Sequence, residues 1–346
     1  MNVAVLGAGS WGTALAMVLT ANGHRTTLWA RRREVADEIR IHRTNHHYLP
    51  GVRLPNELAV TDDARAALAD ARLVVYVVPS ATMASVVEHT RDFVPADALL
   101  AHAVKGFDPA THRRMSEVIL AAHPGSTARV CALTGPSHAE EVAQGMPTTL
   151  VAAAYSRRTA ETVQDALMNN ALRVYTNPDV VGAELGGALK NIIALGVGIA
   201  DGLGYGDNAK AALMTRGLAE ISRLGRAMGA SPLTFAGLSG VGDLIVTCTS
   251  RHSRNFRAGR LLGQGRPLSE VLHEIGMVVE GVTATRAAVE IAAEHGVEMP
   301  ISRAIHQVLF DGKTPEEAVD DLMGRERGRE LEEVARDLVP PDWIRS

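Results

Sequence analysis

The sequence predicts two domains of different class. Residues 1–178 read as an α/β domain on a mostly parallel, doubly wound sheet, and residues 179–346 as an all-α domain. Three observations carry this. Short apolar runs alternate with helical runs as far as Asn177-Pro178, the rhythm of parallel strands joined by crossover helices. From Val180 onward nearly every stretch repeats its apolar residues at helical period. The chain is also long enough for two domains at 346 residues. Apolar residues make up 46% and aromatics only 4%, so a full core must be packed from aliphatic and small side chains.

The first element is the apolar strand Asn2–Leu6. It runs into Gly7-Ala8-Gly9-Ser10-Trp11-Gly12 and then the helical run Thr13–Thr20, which Asn22-Gly23 stops. Strand, GxGxxG and helix in immediate succession form the Rossmann-type dinucleotide context. Gly7 makes the tight turn, Gly9 leaves room for a diphosphate, and Gly12 lets the helix pack closely on the strand. Backbone amides near Ser10 and Trp11 then face the anion. A lone GxGxxG is weak, since glycine turns are common; its place at the head of the chain gives it weight.

The second strand is Arg25–Trp29. Ala30 follows, then Arg31-Arg32-Arg33, where an NAD site would carry an acidic residue; Glu34 comes only after the arginines. Guanidinium groups here suit the 2′-phosphate of NADP, so NADP(H) is the expected nucleotide, with NAD(H) the other admissible one. The plainer reading, a basic helix start, sits badly with the helix dipole.

His42–Gly51 is a loop by its Asn, Pro and Gly content. Its histidines at 42, 46 and 47 lack nearby cysteines, which argues against a metal site. Leu73–Val78, Leu99–Val104 and Val130–Leu133 are buried strands, ending at Pro79-Ser80, Lys105-Gly106 and Gly135-Pro136-Ser137. Ligands collect beyond the carboxyl ends of parallel strands, which makes Lys105 and Ser137 cleft candidates. A solvated loop lysine is an equally good reading of Lys105 from position alone. There is no internal repeat and no low-complexity tract.

The second half opens with a small-residue helix carrying Lys190-Asn191 among Leu185, Leu189, Ile192, Ile193, Gly196 and Val197. Such a lysine either snorkels to water or sits in a cleft with a task. A glycine-rich turn, Asp201–Asp207, ends in an N-cap candidate. Asn208–Met228 follows as a long helix with Arg216 and Glu220 as an exterior i,i+4 pair. Leu238–Asp243 reads as another glycine-rich turn presenting a carboxylate. Ser250–Arg260 holds four arginines within ten residues, mixed with Ser and Asn. That is either a solvated charged face or a grip for a phosphoryl group. Gly276–Gly281 is a further glycine-flanked loop, amphipathic helices open near Thr283, and Pro340–Ser346 reads as a frayed tail.

The bulk numbers exclude several classes. A net charge of −4 and few aromatics speak against nucleic acid as a partner. Cys131 and Cys248 are too few for a disulfide framework and point to a reducing compartment. The start MNVAVLG has no basic n-region and reads as a strand, not a signal. No apolar run approaches the roughly 18 residues of a membrane span. The expectation is a cytoplasmic protein without membrane insertion.

GAGSWGTALA, KGF, GPSHAEEVAQGMPT, ELGGALKNIIALGVGIADGLGYGDNAKAALMTRGLAE and LSGVGDLIVTCTSRHSRN together resemble bacterial NAD(P)-dependent sn-glycerol-3-phosphate dehydrogenase, from residue 3 to about 281. The resemblance implies reversible reduction of dihydroxyacetone phosphate to glycerol 3-phosphate for phospholipid synthesis. By motif position Lys190 is similar to the family's catalytic lysine, with Asp243 beside it as the second catalytic candidate. Lys105, Gly135, Ser137, Lys190, Asp243, Ser253, Arg254 and Asn255 resemble its substrate set. Ser10, Trp11, Arg31, Arg32, Tyr48, Lys105, Ala139, Arg254, Val278 and Glu280 resemble its nucleotide set, beside the glycines Gly7, Gly9 and Gly12. Lys190 would carry the proton: free lysine titrates near 10.4, so it is an ammonium by default, and apolar surroundings would have to lower that for oxidation. Asp243 and the substrate phosphate would oppose the lowering. Two other readings stand beside it: a β-hydroxyacid or sugar-acid dehydrogenase of the same two-domain plan, and a non-catalytic NADPH-sensing module. The many small residues of the helical half would suit a homodimer contact.

Overall fold

The computed structural model describes residues 1–325. The first compact unit, Met1–Glu184, is built on one eight-stranded sheet. Its strands are β1 (Asn2–Leu6), β2 (Arg25–Trp29), β3 (Ala59–Thr61), β4 (Leu73–Tyr76), β5 (Leu99–His102), β6 (Val130–Thr134), β7 (Thr148–Ala154) and β8 (Leu172–Asn177). They lie in the order β3-β2-β1-β4-β5-β6-β7-β8, and every pair is parallel except β6 with β7.

Both faces of the sheet are buried. Val3 and Val5 of β1 feed one apolar cluster while Ala4 and Leu6 feed the other, because successive side chains of a strand point to opposite faces. The chain runs from β1 outward to β2 and β3, then returns to place β4 on the other flank of β1. That reversal makes the crevice beyond β1 and β4 the switch point of the sheet, and the glycine turn follows β1 directly.

The expected α/β class and mostly parallel sheet are found, with β1 and β2 at the expected bounds. Strands β3, β7 and β8 are additions to that expectation. The strand at Leu73 stops two residues early, at Tyr76, the one at Leu99 stops at His102, and β6 runs one residue longer, to Thr134.

The second compact unit begins at Leu185, inside the helix Val180–Gly202, rather than at the expected boundary after Pro178. Glu184 belongs with the first unit because its carboxylate is bound there: Arg114 Nη1 and Ser116 Oγ each donate to Oε2 at 2.6 Å, and the Ser116 amide donates to Oε1 at 2.7 Å. Among its described residues the second unit is entirely helical. Val180–Gly202 has the length and composition to cross a membrane, contrary to the sequence expectation, but 94% of its apolar window is buried inside the protein. It is a core helix. Gly198 and Gly202 let it approach the helix Arg254–Gly263 so closely that a Cβ on Gly198 would stand 2.2 Å from the Phe256 carbonyl oxygen.

Three local expectations are corrected here. Leu238–Gly242 is a wide helical turn closed by Gly242 N–H to the Gly237 carbonyl (3.2 Å), and it runs straight into the helix Asp243–Thr249. Gly206, not Asp207, caps the helix Asp207–Ala227. Glu220 is not on the exterior beside Arg216. It is 2% exposed and accepts from the Ile301 and Ser302 amides, which open the helix Pro300–Phe310. The tail Pro340–Ser346 lies outside the described residues.

Candidate active site

The glycine turn has the geometry its spacing predicts. Gly7 adopts φ +122°, and a Cβ there would stand 2.3 Å from the Val77 carbonyl oxygen, so only glycine fits. A Cβ on Gly12 would stand 1.9 Å from the Gly7 carbonyl oxygen, which is how helix and turn come together. Gly9, the N-cap of the helix Ser10–Ala21, is different: a Cβ there would meet no protein atom within 4 Å. No side chain caps this helix, and its first turn carries no acidic residue. Open space over Gly9 and uncapped amides at a helix N-terminus fit a dinucleotide diphosphate.

Around the turn, Ser10 Oγ donates to the Tyr48 carbonyl (2.5 Å), and Trp11 packs partly buried against the core. Arg31 and Arg32 are exposed beyond β2. Arg32 donates to the Tyr48 hydroxyl at 3.1 Å, with its guanidinium carbon 5.7 Å from the ring centre. Beyond β5 and β6, Lys105 Nζ and Ser137 Oγ each donate to the Gly135 carbonyl at 2.9 Å, so the three predicted residues meet at one point. Ala139 is buried at the start of the helix Ala139–Ala143. Among the described residues no group of three or more His, Cys, Asp or Glu is arranged to hold a metal ion.

In the second unit the lysine does not snorkel. The Lys190 side chain is 6% exposed, its ammonium is hydrogen-bonded to Asp243 Oδ1, and it donates to Thr247 Oγ1 at 2.6 Å. Thr247 Oγ1 in turn donates to the Asp243 carbonyl at 2.6 Å. A buried ammonium persists because a carboxylate and a hydroxyl replace the water it gives up. Burial pushes the neighbouring Cys248 thiol up to about 12, against the pull of the Lys190 charge.

Asn191 ties the lysine helix to the arginine run. Asn255 Nδ2 donates to Asn191 Oδ1, and Asn255 Oδ1 accepts the Gly281 amide, both at 2.9 Å. The Ser253 hydroxyl caps the helix Arg254–Gly263 by accepting from Phe256 N–H (3.2 Å). Arg254 thus stands at a helix N-terminus, where dipole and guanidinium both favour an anion, and its Nη1 donates to the Val278 carbonyl (2.8 Å). Glu280 opens the helix Glu280–Glu294 just beyond Val278. Thr247 was not singled out from the sequence, although it lies four residues after Asp243, on the same face of one helix.

A buried, paired amine, in a chain whose glycine turn fits a dinucleotide diphosphate, is what a nicotinamide-dependent oxidoreductase requires. Comparison with known proteins says which. Residues 2–160 match the family model described as NAD-dependent glycerol-3-phosphate dehydrogenase N-terminus, and residues 179–320 the one described as its C-terminus. The chain belongs to the NAD-dependent glycerol-3-phosphate dehydrogenase family. It is 56% identical over 334 residues to the glycerol-3-phosphate dehydrogenase [NAD(P)+] of Geobacillus thermodenitrificans, covering 96% of this chain and 97% of that one. To the enzyme of the same name from Bacillus cereus it is 55% identical, covering 96% and 98%. The crystal structure of glycerol-3-phosphate dehydrogenase from Coxiella burnetii superposes with a TM-score of 0.89 at 37% identity, covering 93% and 98%. A hydroxyacid dehydrogenase and a non-catalytic sensor are thereby set aside.

Proposed function

We infer that the chain catalyses the reversible NAD(P)H-linked interconversion of dihydroxyacetone phosphate and sn-glycerol 3-phosphate, which serves glycerophospholipid synthesis, with Lys190 as its proton carrier. The observation that carries the role of Lys190 is its burial against Asp243 and Thr247. Bound nicotinamide supplies or accepts the hydride. Lys190, as the ammonium that Asp243 balances, protonates the central oxygen during reduction; as the neutral amine it takes that proton back, so alkaline pH favours oxidation. Ser253, Arg254 and Asn255 hold the phosphate by the helix N-terminus and so orient the carbonyl. Lys105, Gly135 and Ser137 complete the substrate set. Gly7, Gly9, Ser10, Trp11, Gly12, Tyr48, Ala139, Val278 and Glu280 serve the nucleotide.

The test is Lys190→Ala. Turnover with dihydroxyacetone phosphate should collapse while NADPH binding stays near wild type; a variant keeping a tenth of turnover refutes the proton role. NADP(H) is the preferred nucleotide on the strength of Arg31 and Arg32. Changing them to Asp and Ala should raise the KM for NADPH far more than for NADH, and equal effects would refute the preference. Two buried free cysteines and the small-residue helical half support a cytoplasmic homodimer, and light scattering of the purified chain checks its mass.

A further inference from the structure

The glycine turn is held from behind by Asn45, a residue of the His42–Gly51 loop that is 1% exposed. Its Nδ2 donates to the Ala8 carbonyl at 3.0 Å and to Thr13 Oγ1 at 2.9 Å. A carbonyl oxygen only accepts, so the amide must face Ala8 with its NH2, which fixes the side chain's orientation. Both amide hydrogens are then used, one on the turn and one on the first turns of the helix behind it. The Oδ1 atom is buried without a hydrogen-bond partner among the described residues. A leucine would fill the same place without that penalty, so the asparagine's value lies in its donors. The loop is itself pinned: the Leu49 amide donates to the Asn45 carbonyl (2.8 Å), and Ser10 Oγ donates to the Tyr48 carbonyl (2.5 Å).

We propose that Asn45 is a positioning residue for the nucleotide, setting the peptide plane from which the Gly9 amide meets the diphosphate. In a planar trans peptide the C=O and N–H point opposite ways. An Ala8 carbonyl drawn onto buried Asn45 therefore aims the Gly9 N–H away from the interior. Without that hold the plane is free to rotate, and the amide must be reoriented each time an anion binds.

This inference rests on reading the glycine turn as the diphosphate cradle, and the experiment separates the two. NADPH and NADH dissociation constants are measured on the nucleotide-free protein by calorimetry for wild type, Gly9→Val, Asn45→Leu and Asn45→Asp. Gly9 has φ −74° and open space around its Cβ position, so the valine should fold and block the cradle. Wild-type binding by Gly9→Val would overturn the cradle reading and the inference with it. If Gly9→Val loses binding, Asn45→Leu should weaken both nucleotides tenfold or more and by the same factor, since the diphosphate is common to them. A change under twofold, with intact circular dichroism, overturns the role of Asn45 alone. Asn45→Asp provides an isosteric check should the leucine fail to fold. A carboxylate cannot donate to the Ala8 carbonyl but a protonated acid can, so its affinity relative to wild type should recover as pH falls from 8 to 5. A ratio independent of pH would overturn the proposal, because a purely structural role moves stability and not that ratio.

Discussion

The glycine turn and the lysine pocket solve opposite problems. The turn presents bare backbone: glycines that admit close approach and a helix end that no side chain caps. Lys190 is instead buried, and its ammonium, the Asp243 carboxylate and the Thr247 hydroxyl are bonded to one another. A backbone site tolerates changed side chains as long as no Cβ intrudes. A site of paired buried charges tolerates very little, because removing one partner strands the other in a medium that cannot solvate it.

The sharpest break in that comparison is Asp243→Asn. The substitution keeps the shape, leaves the Lys190 ammonium buried opposite a neutral amide, and withdraws the charge that balances it. Turnover in the reducing direction should fall by about a hundredfold or more, within the range of lost acid–base catalysis. Nucleotide binding, measured by fluorescence titration, should change little. Turnover within threefold of wild type would mean that the ion pair is scaffolding only.

The first unit has a buried carboxylate of its own, Glu184, which shows how far pairing can carry a charge. Burial alone would raise it. The His102 ring 3.1 Å away, the Arg114 guanidinium and the Ser116 hydroxyl outweigh burial and hold it at about 2. Because the folded value lies below the ordinary 4.5, this group stabilises the fold above about pH 4.5, and the contribution is lost as pH falls towards 2. Glu184→Ala leaves Arg114, which is 8% exposed, with Glu117 Oε1 at 2.7 Å as its remaining carboxylate partner, and takes from Ser116 and His102 the acceptor they face. It should lose roughly 3–5 kcal/mol in urea unfolding at pH 7. A loss below about 1 kcal/mol would show that Glu117 suffices to hold Arg114.

Glycines sharpen the contrast at smaller scale. Gly198→Ala drives a methyl to 2.2 Å from the Phe256 carbonyl oxygen, and backbone cannot swing aside as a side chain can. Overpacking should cost about 2–3 kcal/mol of stability. Gly9→Ala meets no protein atom and should leave the unfolding midpoint unchanged while weakening nucleotide binding. Equal stability losses in the two variants would erase the distinction between a packing glycine and a binding one.

How much of this was legible in sequence follows from the same contrast. The turn sits in six consecutive residues, so its glycines, the strand before it and the helix after it could all be read locally. The lysine's partners lie 53 and 57 residues away, and nothing near Lys190 announces them. Asp243 was legible as a carboxylate on a glycine-rich stretch, but only resemblance to a family joined it to Lys190, while Thr247 emerged only with the fold. Strand β7 escaped because its alanine-rich second half, Val151–Ala154, acquires meaning only by pairing with β6 on one side and β8 on the other. Glu220 was placed on the surface by its spacing from Arg216, yet its true partners, the Ile301 and Ser302 amides, arrive 81 and 82 residues later.

Glu220 yields the smallest and most specific expectation, and it inverts Glu184. Both carboxylates accept from backbone amides at the start of a helix, but among the described residues Glu220 lacks an arginine in direct contact. Burial pushes it up to about 7 despite the Ile301 and Ser302 hydrogen bonds and the more distant Arg325 charge. With the folded value above the ordinary 4.5, its contribution to stability is complete below about pH 4.5 and is lost as pH rises through 7. Across pH 6 to 8 the loss amounts to about 1 kcal/mol. Glu220→Gln cannot titrate, so its stability should fall less than that of wild type over this interval, whatever constant offset its single acceptor oxygen introduces. Urea unfolding of both proteins at pH 6 and pH 8 decides it. Parallel profiles would mean that Glu220 keeps one protonation state across this interval.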